Sequence, residues 1–172
     1  MNTAIYSALV ATFTLALGFP TLAHEGMIHE GCPVGQEFTA GDITVSGAFT
    51  RAMLPNAQVG AGYLTIDNAG TEADRLVGAS SDVTPMVELH NMTTENGMMK
   101  MSEVEGGIEV PAGGSLTFAP GGLHVMFIGP NQSFNEGECV EVTLKFERAG
   151  ELPVQLVVGP VGADAAPGHE GH

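Results

Sequence analysis

Short stretches of alternating apolar and polar residues, separated by turns rich in Gly, Pro and Asn, run through most of the chain. In residues 139–146 (CVEVTLKF) every even-numbered position is apolar, which is typical of a strand with one buried face. No segment has a sustained apolar period of 3.6 residues. Strands of this length with a turn every ~8–12 residues predict an antiparallel sandwich or small barrel. The predicted strands are 42–49, 61–66, 74–79, 86–90, 107–110, 115–119, 123–128, 139–147 and 153–158.

The polar segment 91–100 carries the pair Asn96-Gly97 and is predicted to be a loop that swings Met101 back towards His90. In contrast, His124 follows the turn Gly121-Gly122 and is predicted near the start of a strand.

Both ends of the chain differ from this pattern. The apolar run 8–19, followed by small residues up to Ala23, predicts a secretory signal over 1–23. The n-region lacks Lys and Arg, which leaves a buried first strand or an uncleaved anchor as alternatives. We expect a mature N-terminal tail over 24–37, a folded domain over 38–158, and a flexible His-containing tail over 159–172.

The charge balance is strongly acidic. Five basic and twenty acidic residues give a net charge of −15. Such a chain repels phosphate backbones and anionic membranes, so we expect no nucleic-acid partner. The sequence has no long apolar run besides 8–19, so we expect no membrane span in the mature chain.

Two cysteines, Cys32 and Cys139, are the only ones in the chain. In an exported protein they suggest one disulfide, and the strand pattern puts Cys139 on the outer face, within reach of an N-terminal tail. Lipidation of Cys32 is the competing interpretation, but no apolar residue stands three positions upstream. With no C-x-x-C, thioredoxin-like chemistry has no motif.

Histidines and methionines cluster in the middle of the chain. His90-Asn91-Met92 and His124-Val125-Met126 are two His-x-Met pairs, and Met101 lies between them. Residues i and i+2 of a strand share a face, so each pair can present both donors together. Imidazole and thioether form a soft ligand set that favours copper(I). A methionine alone is more often core filler, and spacing does not separate Met98 and Met99 from Met101.

The sequence around these residues resembles that of the PCuAC family of periplasmic copper(I) chaperones. The family signature is similar to the spacing seen here, in which ten residues separate His90 from Met101 and twenty-two separate Met101 from His124-Val125-Met126. Further similar segments are Glu88-Leu89-His90, residues 96–101 (NGMMKM), 106–114 (GGIEVPAGG), 120–126 (PGGLHVM) and 60–64 (GAGYL). The similarity extends over roughly 41–158.

The resemblance implies a cupredoxin-like antiparallel β-sandwich, or Greek-key barrel, that binds one copper(I) through His90, Met101, His124 and Met126. It also implies delivery towards the CuA subunit of cytochrome c oxidase, directly or with a Sco-type protein, in the periplasm. We expect a monomer and no enzymatic activity. A copper-sequestering or resistance protein that uses the same site is the alternative.

The tails form a second hypothesis. After cleavage at Ala23, His24 would be the first residue, and its amine and imidazole could chelate copper(II). His29, His169 and His172 could add further nitrogen ligands.

Overall fold

A computed structural model describes residues 31–168, and this part of the chain is all-β. Its eleven strands are β1 (Phe38–Ala40), β2 (Ile43–Arg51), β3 (Val59–Asn68), β4 (Asp74–Ser80), β5 (Met86–Glu95), β6 (Met98–Glu103), β7 (Ile108–Val110), β8 (Ser115–Phe118), β9 (Leu123–Ile128), β10 (Cys139–Phe146) and β11 (Gly150–Gly159). The all-β prediction is confirmed. Across residues 31–168 there is no helix that is long and apolar enough to cross a membrane.

The strands form one continuous hydrogen-bonded sheet that wraps around a shared core. Its order is β6-β5-β9-β3-β2-β11-β10-β4-β7, with β1 added to β2 and β8 added to β3. Among residues 31–168 every pairing is antiparallel except that of β11 with β2, which makes the sheet mixed. Both halves of the sheet contribute to a single apolar cluster, as a cupredoxin-like sandwich requires.

Period-2 alternation decides which side chains enter the core. On β9, Val125 and Phe127 are fully buried, and on β10, Val142 and Leu144 are buried in the same cluster. The residues between them therefore point to the outer face of the sheet.

Two glycines of β3, the neighbour of β9 in the sheet, leave space for core side chains. A Cβ on Gly60 would lie 2.7 Å from the Phe134 ring, and one on Gly62 would lie 3.0 Å from Leu156 Cδ2. Larger residues here would displace these core side chains.

The two ends of the described chain are anchored to the sandwich. Cys32 is bonded to Cys139, with their Cα atoms 5.1 Å apart. Cys139 has the predicted outward phase but is buried, because the N-terminal segment covers it. Near the other end, Arg51 donates to the Ala163 carbonyl (2.7 Å) and pairs with Asp164 (2.9 Å).

The flexible-tail prediction over 159–172 is therefore wrong for most of that segment. Gly159 is the last residue of β11, and residues 160–168 pack against the sandwich through the Arg51 contacts. Residues 169–172 lie outside the described residues, as do residues 1–30, which include the predicted signal.

The predicted loop over 91–100 is also wrong. β5 continues to Glu95, and β6 begins at Met98, so Asn96-Gly97 is the two-residue turn of a β-hairpin. Both turn residues have positive φ (54° and 78°), as a type I′ turn requires.

Candidate metal centre

His90 and His124 face each other across the pairing of β5 with β9. They are direct cross-strand partners, and their ring centroids lie 5.8 Å apart. Their neighbours Leu89 and Val125 point into the core, so both imidazoles lie on the outer face. The sequence predicted the strand and the turn before His124, but not that the two histidines would be opposite each other.

Two methionines flank this histidine pair on the same face. Met126 follows His124 by two residues on β9 and is the cross-strand partner of Glu88. Met101 lies on β6 opposite Met92, which follows His90 by two residues. Met101 and Met126 therefore approach the pair from opposite sides, the first exposed and the second half-buried.

Backbone geometry fixes the tautomer of His124. Its Nδ1 lies 3.0 Å from the Gly122 carbonyl oxygen, which can only accept, so Nδ1 carries the hydrogen and Nε2 keeps its lone pair. Burial lowers the pKa of His124 below 6.5; the Gly122 hydrogen bond opposes this, and the charge of His90 adds to it. The neutral, ligand-competent form therefore persists to lower pH than in an exposed histidine.

A carboxylate holds His90. The Glu88 Oε2 atom accepts from His90 Nε2 at 2.7 Å, which leaves the lone pair on Nδ1. That Nδ1 atom is buried and has no hydrogen-bond partner within residues 31–168. An unsatisfied buried acceptor costs about 1–3 kcal/mol, and a metal ion bound to it would remove that cost. From the sequence alone, Glu88 had no predicted role, although its position two residues before His90, on the same face of a strand, could have indicated one.

The available donors select a soft ion. Nowhere in residues 31–168 do three side chains of His, Cys, Asp or Glu come together in a way that could hold a metal. The donors that this face does bring together are two imidazoles and the flanking thioethers, and such a set fits copper(I).

The hairpin also separates the methionines that spacing left equivalent. Met99 shares the face of Met101, two residues away, whereas Met98 points to the opposite face. The predicted copper(II) ligands His24, His29, His169 and His172 lie outside the described residues.

Comparison with known proteins places this arrangement in a family. Residues 43–158 match the family described as "Putative lipoprotein LpqE-like". The chain belongs to the LpqE-like family. A relative of Leifsonia xyli subsp. xyli, "Putative lipoprotein Lxx21020", is 33% identical over 119 residues, which are 69% of this chain and 70% of the relative.

Solved structures similar to this LpqE-like protein are PCuAC domains and a related protein. The apo PCuAC domain of PmoF2 is 27% identical with a TM-score of 0.65, covering 76% of this chain and all of that domain (100%). The copper-bound PCuAC domain from PmoF2 has a TM-score of 0.63 at 27% identity, covering 73% and 98%. CuI-DR1885 of Deinococcus radiodurans is 31% identical with a TM-score of 0.53, covering 76% and 80%. The PCuAC resemblance drawn from the sequence is confirmed.

Proposed function

We propose that this LpqE-like protein is a periplasmic copper(I) metallochaperone that delivers its ion towards the CuA site of cytochrome c oxidase. The observation that carries the proposal is the pair His90–His124. The two imidazoles face each other on an outer sheet surface, each has a free lone pair, and thioethers flank both. Structural neighbours named as copper-bound and CuI forms support copper(I) as the ion.

The proposed ligands are His90, Met101, His124 and Met126. Met101 and Met126 lie on opposite sides of the histidine pair, and β5 lies between β6 and β9, so binding by all four needs the side chain of Met101 to reach across β5. All of β6 is exposed, and none of its residues belongs to the apolar core, so the Met101 side chain can reorient without disrupting core packing.

This arrangement suits transfer rather than permanent storage. An incoming partner can reach the ion from the exposed side and replace the thioethers one at a time through shared-ligand intermediates. The ligands are soft but contain no thiolate, because the two cysteines of the chain are bonded to each other. Copper(I) is thus favoured without the thiolate ligand that a blue-copper electron carrier uses.

Export supports the same function. A disulfide is typical of an oxidising compartment, and the family description as lipoproteins points to the cell envelope. The partners we propose are the CuA subunit of the oxidase and a Sco-type protein, with this chain acting as a monomer.

The tails support a second, copper(II)-binding role. Cys32 is fixed to the sandwich, and Gly168 lies beside Val34, since a Cβ on Gly168 would be 3.4 Å from Val34 Cγ2. The described residues nearest in sequence to these two pairs of histidines, around Val34 and at Gly168, therefore lie close together. Removing residues 24–31 and 169–172 should lower the copper(II) stoichiometry, and an unchanged stoichiometry would refute this role.

The main proposal is tested by anaerobic copper(I) titration followed by transfer to a copper-free CuA domain. Wild type should show methyl shifts of Met101 and Met126 by NMR, and His124→Ala and Met126→Ala should bind more weakly. Met98→Leu is the matched control, because Met98 is an exposed methionine on the opposite face of the β5–β6 hairpin. Tight binding without transfer, together with copper sensitivity but normal oxidase on deletion, would favour sequestration instead.

A further inference from the structure

The β5–β6 hairpin carries three methionines on one face: Met92, Met99 and Met101. Met92 and Met101 are direct cross-strand partners, and Met99 follows Met101 by two residues on β6. The proposed copper site uses Met101 alone of the three, so Met92 and Met99 have no assigned role.

Packing does not explain these side chains. Every residue of β6 is exposed, with Met99 at 65% and Met101 at 47%. Met92 is only half-buried, and none of the three belongs to the apolar core. A methionine at such a position loses the burial that usually accounts for it, so another use is indicated.

The register brings the three sulfurs within reach of one ion. Directly opposed side chains have Cβ atoms about 5 Å apart, and diagonal neighbours about 7–8 Å. Met92 opposes Met101 and is diagonal to Met99. Three flexible, unbranched side chains at these separations can converge above the hairpin.

We propose that Met92, Met99 and Met101 form a second binding position for a monovalent soft cation, copper(I) or silver(I), made of thioethers alone. Met101 belongs to both positions, and Met92 adjoins His90 on the same face, so the outer position leads directly to the histidine pair. Onward passage to the histidines rests on the proposed function, whereas the thioether position stands without it.

The surrounding charge favours a cation at this position. Glu103 lies on the same face of β6, opposite His90, and the chain as a whole has a net charge of −15. The one lysine of the hairpin, Lys100, points to the opposite face and lies 3.9 Å from Glu95.

The test uses silver(I), which does not change oxidation state, and full-length protein with 13C-methyl-labelled methionine. The double variant His124→Ala/Met126→Leu removes the donors of the histidine site that lie on β9. We expect it to retain one equivalent of silver(I), with shifts of the Met92, Met99 and Met101 methyls and none at Met86 or Met98. Adding Met92→Leu should abolish this binding, whereas adding Met98→Leu should leave it unchanged, because Met98 is an exposed hairpin methionine on the opposite face.

A second measurement, made in the chain that keeps His124 and Met126, still tests the proposal if the double variant does not fold. There, Met92→Leu should remove the silver-induced shift of Met99 while the shift of Met126 persists.

Unchanged Met99 shifts in the Met92→Leu chain, or no hairpin shifts in a folded double variant, would overturn the thioether position. If wild type still bound copper(I) through the histidines, the proposed function would survive that result. Conversely, wild-type protein in which silver shifts the hairpin methyls but not the Met126 methyl would leave this position standing and contradict the histidine site.

Discussion

The two histidines of the site are held by different partners, a backbone carbonyl for His124 and a carboxylate for His90. The Gly122 carbonyl is part of the turn before β9 and survives any side-chain change nearby. The Glu88 contact is a single side-chain hydrogen bond, so the orientation of His90 depends on one residue. That dependence can be measured.

We predict that Glu88→Ala weakens copper(I) binding by about 10–100-fold, the usual cost of losing a group that orients a metal-binding histidine. Anaerobic competition titration against a copper(I) chelator measures the change. Glu103→Ala is the control, because Glu103 opposes His90 on the other neighbouring strand but is exposed. An equal loss in both variants would indicate a general charge effect and contradict the positioning role.

Asp74, which lies away from the proposed copper site, stabilises the fold through its carboxylate. Burial raises the pKa of Asp74, but hydrogen bonds from the backbone N–H groups of Arg75, Arg148 and Ala149, with the charge of Arg148, outweigh burial and leave it below 3.8. Since its folded pKa is depressed, this carboxylate stabilises the fold above pH 3.8. That contribution is lost as the pH falls through the lower, folded-state value.

We predict that Asp74→Ala lowers the free energy of unfolding at neutral pH by about 2–4 kcal/mol, because it leaves three N–H donors without their acceptor. Urea unfolding at neutral pH and near pH 3 measures both the cost and its pH dependence, and the cost should shrink in acid. Asp82→Ala, at an exposed carboxylate, should change stability by less than about 0.5 kcal/mol. A cost for Asp74→Ala that does not depend on pH would contradict the argument.

Strands with one buried face were predictable from the sequence, and strands without one were not. β10 alternates strictly because Val142 and Leu144 enter the core, so its side-chain phase could be predicted. β6 buries nothing, so no alternation marks it, although Asn96-Gly97 was a hairpin signal that could have found it. The parallel pairing of β11 with β2 joins residues 108 positions apart, such as Val157 and Phe49, and no local sequence pattern predicts it.

The candidate site was likewise predictable only where it depends on local strand geometry. The His-x-Met spacing predicted that each pair shares a face, which β-geometry guarantees. The facing of His90 and His124 depends on the register of β5 against β9, which the sequence does not state.

The hairpin should form a unit that can be loosened without unfolding the domain. We predict that Gly97→Val weakens copper(I) binding several-fold, because φ of 78° strains a branched residue and the register that positions Met101 depends on this turn. The thermal midpoint should change little, since no β6 residue lies in the core. Titration and circular dichroism test both statements.

Gly113→Val is the matched control for that change. Gly113 also has positive φ (60°) and open space around its Cα, but it lies in the turn between β7 and β8. It should leave copper(I) affinity unchanged. If both valine variants weakened binding alike, the hairpin would not be the relevant element.

In the whole molecule, the proposed copper site and the disulfide occupy different parts of the sheet. The site uses β5, β6 and β9, whereas Cys139 is on β10, with β3, β2 and β11 between β9 and β10. The disulfide joins residues 107 positions apart and fixes the N-terminal segment to the sandwich. Stability and metal binding should therefore respond to different substitutions.

Removing the disulfide tests this separation. We predict that Cys32→Ser/Cys139→Ser lowers the free energy of unfolding by about 4–5 kcal/mol, the chain-entropy value for so long a loop. Copper(I) affinity should stay within about twofold of wild type, because neither sulfur lies on the strands that carry the proposed ligands. Urea unfolding and anaerobic titration on the same samples give the two numbers. His124→Ala should show the converse, with weak copper(I) binding and a smaller loss of stability. If copper(I) affinity and the free energy of unfolding both fell in the serine variant, the disulfide half of the sheet would set the register of β5 against β9.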